Sequence, residues 1–142
     1  MKSSEKEVIL TKCNALSGNT LMGTLDIEFT DVGADYLIAS MPVTSKVHQP
    51  DGVLHGGAMV ALAESVGSAA AYVFLDIENS FIRGIEIAAN HVKSVKDGYV
   101  HAKATLQHKG STIQLWNIHI TNDENQLISV CKLTTIKLQR KK

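Results

Sequence analysis

The chain contains 142 residues, of which 44% are hydrophobic, and its 14 basic and 14 acidic side chains give a formal net charge of zero. This length predicts one domain, spanning residues 1–142, that is large enough to bury a hydrophobic core. Balanced charge excludes the concentrated positive field that nucleic acids and anionic membrane surfaces require, so we expect neither as a partner.

The N-terminal region lacks the uninterrupted apolar run of a signal peptide, which predicts a cytoplasmic protein. Residues 8–15 predict a short helix. The pattern then changes to alternation of apolar and polar residues through residues 25–30, as in a half-buried strand. A turn at residues 31–35 and a second strand at residues 36–41 complete a predicted antiparallel hairpin.

The segment 56–75 is an almost unbroken stretch of apolar and small residues, and as a helix it would be about 30 Å long. An irregular connection at residues 42–54 delivers polar residues to its start. One predicted face is a stripe suited to packing on a sheet and consists of Met59, Leu62, Val66, Ala69 and Val73. The opposite stripe is small apart from one carboxylate and consists of Gly57, Ala61, Glu64, Ser68 and Ala71.

Glu64 is the one residue of this segment that carries a charge at neutral pH. Burying an unpaired charge is costly, so a carboxylate in such a setting has an ion-pair partner, reaches solvent or has a chemical task. These alternatives remain open on the segment alone. The length also permits a membrane span, but Glu64, two serines, internal glycines and the absence of a flanking basic cluster disfavour it.

The C-terminal half predicts four further strands, at residues 81–95, 99–107, 112–121 and 127–138. Asp97-Gly98 is typical of a hairpin turn. Because the connections are short, we expect an antiparallel sheet whose core face is covered by the one long helix. The predicted fold class is therefore α+β, with a six-stranded antiparallel sheet around a central helix.

The start of the central helix predicts a site that polarises a carbonyl group. A helix N-terminus exposes unpaired N–H groups and the positive end of the dipole, and Gly56 and Gly57 allow close approach to the backbone. Negative charge that develops on a carbonyl oxygen during acyl transfer would be stabilised there, with His55 and Gln49 available to orient the group. The alternative interpretation of the two glycines is a tight junction between loop and helix.

The distance between Glu64 and His55 along the predicted helix indicates that a second subunit completes the site. Glu64 is the one carboxylate on the small-residue stripe, but nine residues separate it from His55, which is about 13.5 Å along a helix. Reacting groups approach within about 3 to 3.5 Å, so one subunit cannot supply both ends of the site. Two central helices that run antiparallel across a twofold axis would place Glu64 of one subunit opposite the helix start of the other. Ser68, one turn later, is placed to hydrogen-bond the carboxylate or an attacking water.

Several motifs resemble the signature of the hotdog-fold acyl-CoA thioesterases of the phenylacetate-degradation type; they are Gln-Pro-Asp-Gly-Val-Leu-His-Gly-Gly at 49–57, Leu-Ala-Glu-Ser at 62–65 and Gly-Ser at 67–68. Later motifs are similar especially to the 1,4-dihydroxy-2-naphthoyl-CoA thioesterases of menaquinone biosynthesis; they are Gly-Ile-Glu-Ile at 84–87, Asn-His-Val-Lys-Ser at 90–94 and Leu-Thr-Thr at 133–135. The resemblance is more specific for the glutamate-using thioesterase class than for the acyl group.

The resemblance implies a hotdog fold and hydrolysis of an acyl-CoA thioester. By position, Gly56 would polarise the thioester carbonyl, while Gln49 and His55 would position the carbonyl and its thiolate leaving group. The facing subunit would supply Glu64 as nucleophile or general base and Ser68 to assist water. The resemblance also implies a homodimer that commonly pairs into a homotetramer. Because CoA is part of the substrate, no cofactor is expected.

Further substrate contacts are implied at Gly57, at Asn90 and at His91, which is expected to line the acyl pocket. Relatives often carry Arg where this chain has Lys93, and basic residues in the turn that here begins with Lys109. Lysine is a point charge without the bidentate fork of arginine. Lys93 and Lys109 are therefore interpreted either as weaker contacts to the CoA phosphates or as solvated surface residues.

Four functions fit these residues. The favoured one is hydrolysis of an aromatic acyl-CoA, preferably 1,4-dihydroxy-2-naphthoyl-CoA. A proofreading thioesterase that clears acyl groups misloaded on an acyl carrier protein uses the same chemistry, and a dehydratase on the same fold also uses a histidine and an acid. The fourth is a non-catalytic module that binds acyl thioesters. The presence of Gln49, His55, Glu64 and Ser68 together argues against it, because binding alone does not require a base opposite an oxyanion donor. The remaining histidines show no ligand spacing, so no metal site is predicted.

Overall fold

A computed structural model describes residues 1–141 of the chain. Within these residues the elements are, in chain order, α1 (Ser3–Ala15), α2 (Leu21–Thr24), β1 (Glu28–Val32), β2 (Tyr36–Pro42), a 3₁₀ turn (Ser45–Val47), α3 (Gly56–Phe74), β3 (Ser80–His91), β4 (Tyr99–Lys109), β5 (Ile113–Asn122) and β6 (Leu127–Gln139).

The six strands form one antiparallel sheet in the order β1-β2-β4-β5-β6-β3. β3 pairs with β6 on one side, and its other edge is unpaired within residues 1–141. The register sets Gly84 opposite Thr135 and His91 opposite Ser129. The α+β class and the six-stranded antiparallel sheet expected from the sequence are confirmed.

The long helix α3 lies on one face of the sheet and contacts strands β2 to β6. Trp116, Ile118 and Leu133 are completely buried in the core that the helix and sheet share. A glycine is needed at position 67, because a Cβ built there would lie 2.6 Å from Leu133 Cδ2. The glycine therefore lets the backbone of α3 approach the sheet closely at this position.

The buried face of α3 is rotated relative to the face expected from the sequence. Its fully buried members are Met59, Leu62, Ala63, Val66, Gly67, Ala70 and Ala71. The assignment of Met59, Leu62 and Val66 to the core is confirmed, but Ala71 is buried in the core and does not belong to the opposite stripe. Ala69 and Val73 are only partly buried. The reason is that close packing at Gly67 lets small residues, and not only the largest apolar ones, face the sheet.

Three element boundaries differ from the sequence-based prediction by three or more residues. α1 begins at Ser3, and residues 21–24 form α2, so β1 starts only at Glu28. α1 has no buried residue, so no apolar periodicity marks its first turn. β3 ends at His91 and does not continue to residue 95, because Val95 leaves the sheet and its carbonyl accepts a hydrogen bond from the Leu54 N–H at 2.8 Å.

By length and composition α3 would also qualify as a membrane span, and it is the one such helix among residues 1–141. A long core helix passes the same test. The position of α3 against five strands of the sheet accounts for its apolar composition without a membrane.

Candidate active site

The N-terminus of α3 presents one uncommitted backbone donor. His55 is the N-cap, and its Nδ1 accepts a hydrogen bond from the Gly57 N–H at 2.8 Å. The N–H groups of Ala58 and Met59 donate to the His55 carbonyl at 3.0 and 3.2 Å. Within residues 1–141 the Gly56 N–H has no hydrogen-bond partner. Of the two glycines expected at the carbonyl site, Gly56 is therefore the one whose N–H is available, because Gly57 is already bonded to His55.

His91 lies directly against this helix start. A Cβ built on Gly56 would be 3.0 Å from His91 Nε2, so only glycine leaves room for the imidazole. The ring is fixed from the other side, because His91 Nδ1 is 2.8 Å from the Ser129 hydroxyl. The end of β3 thus places a ring nitrogen beside the free N–H of α3.

The connection that carries Gln49 is held rigidly in front of α3. The Gln49 N–H donates to the Val53 carbonyl at 2.8 Å, and the Gly52 N–H donates back to the Gln49 carbonyl at 3.0 Å. Gly52 has a φ of +83°, a left-handed conformation that glycine adopts without steric cost. The Gln49 side-chain amide donates to Asp51 Oδ1 at 2.8 Å. This tight turn fixes where the carboxamide stands.

These elements enclose a groove of about 380 Å³ at the N-terminus of α3, which we call the polar groove. Its lining residues are Gln49, Val53, Leu54, Gly56, Met59, His91, Val92, Lys93 and Ser94. The structure therefore brings together four residues that the sequence assigned to one site, namely Gln49, Gly56, His91 and Lys93.

Glu64 lies two turns further along α3, beside the free edge of the sheet. A Cβ built on Gly84 of β3 would be 2.9 Å from Glu64 Oε2, so the carboxylate occupies the space that this glycine leaves. The residue is half-buried, and no ion-pair partner contacts its carboxylate among residues 1–141. The internal ion pair considered from the sequence is therefore not formed in this part of the chain.

One chain does not bring the remaining predicted residues into the polar groove. Glu64 is eight residues after Gly56, about 12 Å along the helix axis, and Ser68 is a further turn away. Asn90 is exposed on β3, next to His91. Lys109 is at the β4–β5 hairpin, where the strand register aligns it with Gly84. Seven residues of β3, about 23 Å, separate that level from the end of the strand that precedes Lys93.

A second cavity, of about 520 Å³, lies between α1 and the later turns of α3, and we call it the apolar cavity. Its lining residues are Ile9, Lys12, Cys13, Leu16, Met22, Phe29, Ser65, Ser68, Ala69, Tyr72 and Val73. Apart from Ser68, the sequence analysis assigned none of them to a site. The available signal was the spacing of Ile9, Cys13 and Leu16 by four and three residues, which puts them on one side of α1.

A hydrogen-bonded chain of Ser40, His101 and Asp123 crosses the opposite part of the sheet. The Ser40 hydroxyl is 2.7 Å from His101 Nδ1, and His101 Nε2 donates to Asp123 Oδ1 at 2.8 Å. That hydrogen bond lowers the pKa of Asp123. Ser40 is only 5% exposed, and β2 is paired on both sides, so no backbone donor is available for an oxyanion. We interpret these hydrogen bonds as a structural link between strands, the Ser40–His101–Asp123 tie.

Within residues 1–141 no group of three or more His, Cys, Asp or Glu side chains is placed to hold a metal ion. The two cysteines are unpaired thiols, and burial raises the pKa of both Cys13 and Cys131.

A long helix on an antiparallel sheet, with a free glycine N–H at its start and a glutamate two turns later, defines the class of the hotdog-fold thioester hydrolases. The chain belongs to the thioesterase superfamily, whose sequence profile matches residues 51–129. This match begins in the turn that carries Gln49 and includes Glu64 and His91.

The comparisons with individual proteins agree with this assignment. The chain is 42% identical to the 1,4-dihydroxy-2-naphthoyl-CoA hydrolase of Escherichia coli over 131 residues, which cover 92% of this chain and 96% of that protein. A crystal structure of a thioesterase from Haemophilus influenzae matches with a TM-score of 0.88 at 42% identity and covers 92% of this chain and 90% of that chain.

A crystal structure of a Staphylococcus aureus protein, in which one glutamate is replaced by alanine, matches with a TM-score of 0.80 at 39% identity and covers 84% of this chain and 98% of that chain. The same protein, named a thioesterase enzyme, was also crystallised with one glutamine replaced by alanine. The protein described here is a thioester hydrolase with the hotdog fold.

Proposed function

We propose that the protein hydrolyses an aromatic acyl-CoA, with 1,4-dihydroxy-2-naphthoyl-CoA as the favoured substrate, in a site shared by two subunits. The observation that carries the proposal is the free Gly56 N–H beside His91 and Gln49 in the polar groove. A thioester carbonyl that accepts a hydrogen bond from this N–H is polarised for attack. The name of the Escherichia coli relative supports the choice of acyl group.

The second subunit supplies the carboxylate. Glu64 lies against Gly84 on β3, the strand whose outer edge is unpaired within the described chain. Ile85, next to Gly84, is 55% exposed on that strand. Two chains that meet at this edge, with antiparallel α3 helices, bring Glu64 of one chain to the Gly56 N–H of the other. We propose a homodimer as the minimal enzyme, paired into a homotetramer and acting in the cytoplasm.

Glu64 acts in one of two ways. As a general base it takes a proton from water while the water oxygen bonds the carbonyl carbon, and the displaced electron pair collects on the oxygen that faces the Gly56 N–H. Collapse of this intermediate breaks the C–S bond and releases the thiolate, which recovers the proton. As a nucleophile Glu64 itself bonds the carbonyl carbon, releases the thiolate as a mixed anhydride forms, and water then hydrolyses the anhydride.

The other site residues orient these groups. His55 uses Nδ1 to hold the Gly57 N–H, which leaves Nε2 to face the thioester. Gln49 stands across the groove, and Ser68 lies one turn beyond Glu64 to assist water. Lys93 in the polar groove is a candidate contact for a CoA phosphate. Asn90 and Lys109 do not line this groove, so they would contact a substrate only if it is bound between subunits of the proposed oligomer. The Staphylococcus aureus variants support the pairing of a glutamine with a glutamate, because their replaced positions have the same sequence separation as Gln49 and Glu64.

The test is Glu64→Gln, which keeps the side-chain volume but removes the base and nucleophile. We expect hydrolysis of 1,4-dihydroxy-2-naphthoyl-CoA, followed by release of free thiol, to fall by about 10³-fold or more while substrate binding is retained. Glu124→Gln, on an exposed turn, is the matched control and should be fully active. Turnover of Glu64→Gln within a few-fold of wild type would show that Glu64 is structural.

The carrier of the acyl group is tested with the same assay. One acyl group is offered on CoA and on an acyl carrier protein, and we expect the CoA thioester to have the higher kcat/KM. A preference for the carrier-protein thioester would instead assign the enzyme to proofreading. Binding of both without thiol release would identify a non-catalytic module.

A further inference from the structure

The apolar cavity is a second compartment on the helix that carries Glu64. Ser65 and Ser68 of α3 line it, and they lie one residue and one turn beyond Glu64. The Ser65 hydroxyl donates to the Ala61 carbonyl at 2.6 Å, and the Tyr72 hydroxyl accepts from the Ile82 N–H at 3.1 Å. Ser68 has no hydrogen-bond partner among residues 1–141, so its hydroxyl is the uncommitted polar group of the α3 wall. The volume of about 520 Å³ is in the range of small-ligand pockets.

The opposite wall is α1, which is attached by polar contacts and by partial packing of Ile9, Leu10 and Cys13 against the core. No residue of α1 is fully buried, and Leu16 beyond its end is 73% exposed. The Asn14 side chain donates to the Phe29 carbonyl at 3.0 Å and accepts from the Phe29 N–H at 2.8 Å. Lys6 pairs with Asp31 at 3.1 Å. These contacts hold the apolar side of α1 over the cavity as its outer wall.

A substrate bound in the proposed site would extend from the polar groove of one subunit to the apolar cavity of the other. With the thioester carbon beside Glu64, the CoA arm runs towards the polar groove of the facing subunit. The acyl group leaves the carbon on the other side, where α3 continues through Ser65, Ser68 and Ala69. The apolar cavity is the compartment that these residues border.

We infer that the apolar cavity receives the acyl group and that α1, through Ile9 and Cys13, determines which acyl groups the enzyme accepts. This inference rests on the proposed function. The occupant is a compact apolar or aromatic acyl group, and Ser68 is available to a hydroxyl substituent on it. Cys13 has the central position on the α1 side, with Ile9 one turn before it and Leu16 after it.

The first experiment fills the cavity. Cys13→Trp places an indole in it, and Thr11→Trp, on the opposite side of α1, is the matched control. We expect Cys13→Trp to lower kcat/KM for 2-naphthoyl-CoA by about 10-fold or more and to leave acetyl-CoA hydrolysis within about threefold. Thr11→Trp should change neither. Equal effects of the two variants on 2-naphthoyl-CoA would overturn the inference.

The second experiment does not depend on turnover. In a Cys131→Ser background Cys13 is the one thiol, and its alkylation by N-ethylmaleimide is followed by mass spectrometry at pH 8.5, because burial raises the pKa of this thiol. A naphthylmethyl thioether of CoA should slow alkylation by about 10-fold at saturation, whereas CoA alone should not. The control carries Thr11→Cys and Cys13→Ser in the same background and should show no protection.

The outcomes separate the two proposals. Protection of Cys13 together with full activity of Glu64→Gln would keep the acyl pocket and reject the proposed catalytic role of Glu64. Loss of activity in Glu64→Gln without protection of Cys13, or with equal protection of the Thr11→Cys reporter, would keep the proposed function and reject the pocket. Circular dichroism of each variant confirms that α1 and the sheet are folded.

Discussion

The polar groove and the apolar cavity are built on the same helix by different means. The polar groove surrounds the first turn of α3, and its walls are a loop and a strand end fixed by backbone hydrogen bonds. The apolar cavity follows the later turns, and its outer wall is a helix attached by the side chains of Asn14 and Lys6. The main chain therefore holds the walls of the polar groove, whereas side chains hold the outer wall of the apolar cavity, among them Ile9 and Cys13 packed partly buried against the core.

The two regions also differ in what a single chain supplies. The polar groove contains a free backbone N–H but no carboxylate, whereas the apolar cavity begins beside Glu64 and is not lined by Gly56. About 12 Å of helix separates Gly56 from Glu64. One subunit therefore provides two half-sites, which the proposed dimer would join into a catalytic site.

The largest expected effect comes from dividing the two halves between chains. Glu64→Ala and His55→Ala proteins should each be nearly inactive. When equal amounts are refolded together, random pairing makes about half of the dimers mixed, and each mixed dimer has one intact site. We expect about a quarter of wild-type activity to return, measured as thiol release. No recovery, with subunit exchange confirmed by mass spectrometry, would mean that the two residues act within one chain.

A smaller effect is expected where the sheet edge touches the carboxylate. A methyl group at position 84 would lie 2.9 Å from Glu64 Oε2 and would displace the carboxylate. Gly84→Ala should lower kcat by roughly 10-fold and leave KM nearly unchanged, because misplacement of a reacting group costs rate. Gly18→Ala is the control, since a Cβ there meets nothing within 4 Å. An unchanged kcat would separate Glu64 from the chemistry.

The polar groove should respond to salt, unlike the apolar cavity. Lys93→Ala is expected to raise KM for acyl-CoA a few-fold with little change in kcat, because a phosphate contact is lost. Added NaCl should raise the wild-type KM in the same way and should have less effect on the variant. The exposed Lys46→Ala is the control. A KM independent of both Lys93 and salt would remove this lysine from the CoA site.

The smallest effect is expected outside both regions, at the Ser40–His101–Asp123 tie. Because the hydrogen bond from His101 lowers the pKa of Asp123, the carboxylate stabilises the fold above the ordinary Asp pKa of about 3.9, and this is lost as pH falls through the folded-state pKa. Asp123→Asn should therefore lower the melting temperature slightly at neutral pH, with the difference vanishing in acid, and should leave thiol release unchanged. A large loss of activity would make the tie a third functional region.

Patterns of neighbouring residues in the sequence were sufficient to predict most of the helices and strands. Period-two alternation and short turns predict the later strands, and the apolar run predicts α3, because these signals depend on neighbours in the chain. The polar groove was also largely predictable, since Gln49, His55 and Gly56 lie close together in sequence. His91 could be added only through the motif it shares with Asn90.

By itself the sequence predicts the six strands, the long helix α3 and the residues proposed for the site, namely a glycine at a helix start and a glutamate two turns later. The structure adds that a cap between residues two apart in the chain, His55 Nδ1 with the Gly57 N–H, leaves the Gly56 N–H as the free one. Only the tertiary structure decided which face of α3 is buried, with Gly67 against Leu133, and it created the apolar cavity by packing α1 on the core and bonding Asn14 to Phe29. These outcomes depend on contacts between residues far apart in the chain, and periodicity within one segment carries no information about them.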